Sequence, residues 1–79
     1  MKIERVQTGV RLEKRLLKVL KGVAELQDRS LGEMLELILL HAFEDAKPFT
    51  ADSLKAIREL KKVYKLDYDV HAYEKFTER

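Results

Sequence analysis

Arg5-Val6-Gln7-Thr8-Gly9-Val10-Arg11-Leu12 sets Arg5, Gln7, Gly9 and Arg11 against Val6, Thr8, Val10 and Leu12. That is the two-residue alternation of a half-buried strand. No second segment of this kind follows, and a lone strand would leave its ladder N–H and C=O groups unpaired. The sequence therefore predicts that two chains pair their strands as an intermolecular ribbon. The polar face of that ribbon is the first place to look for function.

Downstream the period changes to that of helices. The first is predicted over residues 13–26, where Leu16, Leu20 and Val23 fall at i, i+4 and i+7 and Leu17 and Ala24 widen the stripe. Lys14, Arg15, Lys18 and Lys21 take the wetter side. Gly22 costs about 1 kcal/mol against alanine inside a helix, so it marks either close packing or a solvent edge. Ser30 and Glu33 have the spacing of a capping box and open a second helix over residues 31–45. There Leu31, Met34, Leu35, Ile38, Leu39, Ala42 and Phe43 form one broad apolar face, and Leu37 and Leu40 carry apolarity round the other side. A helix apolar nearly all round is buried nearly all round, which in so short a chain requires a second subunit.

Lys47-Pro48-Phe49 ends that helix. Thr50 caps a third, with Asp52 in its first turn, Phe49 and Leu54 as a hydrophobic staple, and Leu54, Ile57, Leu60, Val63 and Tyr64 as its apolar face. This helix is expected to cover Leu37 and Leu40 of the second. Lys61, Lys62 and Lys65 crowd its end. In residues 66–79, either Asp69 caps a last helical turn carrying Val70, Tyr73 and Phe76, or the end frays.

Seventy-nine residues make one small domain near the size where a monomeric core is marginal. The absence of cysteine rules out disulfides as a remedy and fits a reducing compartment. No apolar stretch follows Met1-Lys2-Ile3-Glu4-Arg5 as in a signal peptide, and Leu37–Leu40 is too short to span a bilayer. A soluble, cytoplasmic protein is expected, with no membrane association. Charge is unevenly placed: residues 1–30 carry eight Lys/Arg against four Asp/Glu, and residues 31–79 carry eight against ten. A dimer would bring the basic halves together, which suits an anionic partner.

One strand, a helix, a short loop and a strongly apolar second helix is the order of the ribbon-helix-helix fold. Gln7-Thr8-Gly9-Val10-Arg11-Leu12, Glu13-Lys14-Arg15-Leu16-Leu17, Val23-Ala24-Glu25 and Asp28-Arg29-Ser30 stand in register with it. Residues 5–43, about half the chain, thus resemble the bacterial and phage repressors of the MetJ/Arc type. The resemblance implies a mainly α fold: a ribbon-helix-helix homodimer with one intermolecular two-stranded antiparallel ribbon and an additional C-terminal helix. It makes residues 1–46 the dimerisation and DNA-binding domain and leaves 47–79 as a helical extension packing on the dimer.

In that family the ribbon lies in the major groove of double-stranded DNA. The resemblance assigns base contacts to Gln7, Arg11, Gly9 and Arg5, with Arg11 forked onto guanine and Gln7 onto adenine. Gly9 departs from the family, which often places a reading side chain there. Either glycine lets the backbone approach the bases, or the position contributes no readout. A phosphate at the second helix N-terminus would be held by Ser30, Leu31 and Gly32, with Arg29 nearby. Asp28, where glycine is frequent, and Glu33 put negative charge close to that phosphate. Lys14, with Arg15 and Lys18, would add peripheral phosphate contacts. Val10, Leu12, Leu16, Leu20, Val23, Leu35, Ile38 and Leu39 would form the dimer core.

The functional expectation is sequence-specific DNA binding as a homodimer that represses transcription, with no cofactor. One alternative is an antitoxin whose C-terminal segment, with Tyr64, Tyr68, Tyr73 and Phe76, binds a protein partner. Another is a dimeric interaction module that does not touch DNA. His41 with Glu44 and Asp45 supplies too few ligands for zinc, and the other histidine is His71. No nucleophile, phosphate loop or carboxylate pair argues for an enzyme.

Overall fold

Glu13 closes the N-terminal segment and starts the first helix, its Oε1 accepting from the backbone N–H groups of Arg15 and Leu16 at 3.0 Å each. The structure, a computed structural model, describes residues 1–77. It contains α1 (Lys14–Leu26), α2 (Leu31–Phe43), α3 (Ala51–Val63) and α4 (Val70–Thr77). Residues 1–13 adopt neither helix nor strand, and the described residues contain no strand anywhere. The expected ribbon-helix-helix architecture with its two-stranded ribbon is thus corrected to an all-helical chain. Alternation in residues 5–12 supplies the pattern of a strand, but a strand exists through its ladder, and this chain holds no second one to complete it.

Each helix start is fixed by a side chain. Ser30 Oγ accepts from Glu33 N–H at 3.1 Å while Glu33 Oε1 accepts from Ser30 N–H at 3.0 Å, completing the capping box of α2. Thr50 Oγ1 caps α3 through Ser53 N–H, and Asp69 Oδ1 caps α4 through Ala72 N–H at 3.0 Å. The first three helices end alike. Asp28, Asp45 and Lys65 have φ of 53°, 54° and 57°. The next residue's N–H in each case returns to a carbonyl of the final turn: Arg29 to Ala24, Ala46 to His41, Leu66 to Lys61. These are Schellman closures, here built without glycine.

α1 is the hub, packed against both α2 and α3. The buried core is Val19, Val23 and Ala24 of α1 with Met34 of α2, and Leu20, Leu37, Ile38, Phe49, Ile57, Leu60, Tyr64 and Leu66 pack around it. Val23, expected between subunits, is buried within the chain. α3 lies on α1 and leaves Leu40 of α2 57% exposed, contrary to the expectation that it would cover that residue. Gly22 explains the choice: a Cβ there would sit 3.0 Å from Leu60 Cδ2, so the missing side chain is the space α3 fills. Leu54 and Val63 of the expected α3 stripe stay exposed.

α2 departs furthest from expectation. Met34 is its one buried residue among those described, while Leu39, Leu40 and Phe43 are 49%, 57% and 82% exposed. The chain exposes 7249 Å², whereas a compact monomer of its mass exposes about 5,000 Å². Its radius of gyration is 13.8 Å, against about 11.6 Å for a compact domain of this length.

Candidate nucleic-acid interface

The N-terminal segment puts Gln7, Gly9 and Arg11 in solvent. A Cβ at Gly9 would meet nothing within 4 Å, and its φ is not positive, so the fold of this chain makes no demand for glycine there. Arg11 forms no hydrogen bond or ion pair with any described residue.

Arg5 is placed differently. Its Nε donates to Glu36 Oε2 at 2.9 Å and Oε1 at 3.2 Å, and its Nη2 donates to Oε1 at 3.0 Å. These bonds hold the Glu36 carboxyl below its ordinary range and the Arg5 guanidinium above its own. The four residues assigned to base contact therefore divide: Gln7, Gly9 and Arg11 are exposed, and Arg5 is paired with Glu36 of α2.

The basic residues of α1 divide as well. Lys14, Lys18 and Lys21 stand at i, i+4 and i+7 on its exposed face, with Lys18 Nζ 5.7 Å from the Tyr64 ring. Arg15 points the other way. Its Nη1 donates to Asp67 Oδ1 at 2.8 Å and to the Lys65 carbonyl at 3.0 Å, its Nε pairs with Glu13 at 3.1 Å, and its guanidinium lies 5.6 Å from the Tyr68 ring. Arg15 fastens α1 to the loop before α4 instead of facing outward. Burial raises the Tyr68 hydroxyl above its ordinary value, helped by the neighbouring Glu13.

At the N-terminus of α2 the capping box has already taken two backbone donors, those of Ser30 and Glu33. Leu31 and Gly32 retain theirs, but the carboxylate occupying the helix end is the chain's own. The Ser30 N–H lowers the Glu33 pKa, and Arg29 adds to the effect. Ser30 is thus a helix cap in this structure, and the charge of Glu33 sits where the phosphate was expected. Asp28 closes α1 in the left-handed conformation that the sequence reading allowed it.

Of the residues assigned to the dimer core, Val10 is 70% exposed, Leu12 and Leu16 are 39% each and Leu39 is 49%, while Leu20, Leu35 and Ile38 are half-buried. The His41 Nδ1 lies 2.8 Å from the Leu37 carbonyl, which fixes that nitrogen as the donor. Among the described residues no three His, Cys, Asp or Glu side chains are grouped to hold a metal. No helix among the described residues is long and apolar enough to cross a membrane.

Sequence reasoning missed Val19, the Glu13 cap and the Arg15 junction. Val19 was legible, since it precedes Val23 by one turn. Two of the Arg15 partners, Lys65 and Asp67, lie 50 and 52 residues away and gave no local signal. Comparison with known protein families, curated proteins and solved structures finds no match to this chain.

Proposed function

We propose that the chain binds double-stranded DNA as a homodimer and represses transcription. The observation that carries this reading is the set of exposed cations in the basic half, three of them in a row along α1. Arg11 has no partner among the described residues, and Lys14, Lys18 and Lys21 follow at helical spacing on the exposed face of α1. Such a row matches the phosphate array of a duplex, with Arg11 and Gln7 on the adjoining segment to reach base edges. Dimerisation is supported by the surface that remains. The excess over a compact monomer is about 2,200 Å² per chain, within the range that a permanent dimer buries. It includes the apolar Leu39, Leu40 and Phe43. Repression is the simplest regulatory role, since occupancy of a promoter is sufficient for it.

The test is selection of duplexes from a random pool, followed by fluorescence-anisotropy titration of the winner across a salt series, with sedimentation to fix stoichiometry. Three phosphate-facing lysines per chain in a dimer predict a slope of log K on log salt approaching about −5. Arg11→Ala should lower affinity and flatten the difference between selected and random duplexes. A monomer at micromolar concentration, or failure to enrich any duplex at low salt, overturns the reading. A dimer indifferent to DNA would instead be an interaction module.

A further inference from the structure

We propose that the Arg5–Glu36 contact is an autoinhibitory latch, which parks the N-terminal segment on α2 and withholds a cation from DNA. This rests on the DNA-binding reading above. A guanidinium fork takes a carboxylate or a phosphate in the same bidentate way, and Arg5 satisfies its fork on Glu36 with three hydrogen bonds of 2.9–3.2 Å. It cannot serve both partners at once. The two side chains are 64% and 46% exposed, so water competes for the contact and the latch is weak enough for a phosphate to open it. Glu33, one turn before Glu36, adds attraction for the parked arginine. The segment between Arg5 and Arg11 carries Gln7, so parking Arg5 also restrains the side chains proposed to read bases. Apparent affinity then falls by the fraction of chains in which the latch is open.

The experiment is a double-mutant cycle on the full chain: wild type, Glu36→Gln, Arg5→Ala and the double variant, each titrated with the selected duplex across salt. Glu36→Gln should bind about three- to tenfold more tightly. Its salt slope should stay within about one unit of the wild type, because the latch is open in both complexes and Arg5 then makes the same phosphate contact. In the Arg5→Ala background the same substitution should gain nothing. An equal gain in both backgrounds overturns the latch, because it would report only the removal of a repelling charge.

Tryptic cleavage reads the contact without DNA. The cut after Arg5 should quicken several-fold in Glu36→Gln relative to the cut after the exposed Arg11 in the same chain, and an unchanged ratio overturns the latch. Faster cleavage with no DNA binding by any of the four proteins instead overturns the DNA-binding reading.

Discussion

Arg15 Nη1 stands 2.8 Å from Asp67 Oδ1 and 3.0 Å from the Lys65 carbonyl oxygen, so the first turn of α1 is tied to the loop that leads into α4. The same guanidinium bonds to Glu13, the residue that caps α1. One side chain therefore joins the end of the N-terminal segment to the loop between α3 and α4. The adjacent lysines at 14 and 18 take no part in that junction.

Arg15→Ala should consequently release residues 66–77 while leaving α2 intact. Amide hydrogen exchange should speed several-fold in α4 and remain unchanged around Met34. Arg15→Lys should rescue only partly, because an ammonium lacks the planar fork that bridges a carbonyl, two carboxylates and the Tyr68 face. Uniform acceleration across all four helices would instead make Arg15 part of the global fold.

Lys65 closes α3 at φ 57°, where a β-carbon costs about 1–2 kcal/mol. Lys65→Gly removes that cost but loses part of it to the added freedom of the unfolded chain. The net expectation is a gain of up to about 1 kcal/mol, or roughly 4–8 °C in Tm. Asp28→Gly should gain less, because Asp tolerates the left-handed conformation better. Thermal unfolding followed by circular dichroism checks both, and a fall in Tm for Lys65→Gly would contradict the strain argument.

Features that depend on neighbours in sequence were legible in it. The Ser30–Glu33 box and the Thr50 cap are local, and the structure has both. For Asp69 the alternatives were open, and the structure has the cap. What failed depends on distant partners. Residues 5–12 alternate as a strand does, yet no strand forms without a ladder. The placement of α3 followed from Leu60 entering the space left by Gly22, and the spacing of either helix alone could not reveal that. The candidate interface divided in the same way. The exposure of Arg11 and Lys14 follows from their position in the pattern, whereas the diversion of Arg5 and Arg15 onto carboxylates depended on residues about thirty and fifty positions away.

Gly22 offers a direct check on that packing. Gly22→Ala gains about 1 kcal/mol of helix propensity and places a methyl 3.0 Å from the tip of Leu60, a flexible and half-buried side chain. The two effects should nearly cancel in urea denaturation. Gly22→Leu cannot be absorbed by a rotamer change and should cost about 1–3 kcal/mol through overpacking. A stabilised Gly22→Leu would mean that α3 does not lie on this face of α1.

Acid should destabilise the chain, and the sign follows from four carboxylates. Glu33 is held down by the Ser30 N–H, Glu36 by Arg5 and Asp69 by the Ala72 N–H. Burial pushes Glu13 up, but its bonds to Leu16 and Arg15 leave it lowered on balance. A folded pKa below the unfolded one contributes stability that is complete above the unfolded value. That contribution is lost as pH falls through the folded value. The ordinary values are 4.5 for Glu and 3.8 for Asp, so Tm should hold steady from neutrality to about pH 5.5 and decline progressively below about pH 4.5. Glu33→Gln should flatten that decline, since glutamine preserves the capping box without titrating. A Tm that rises on acidification would show that repulsion among the carboxylates outweighs the bonds that hold them.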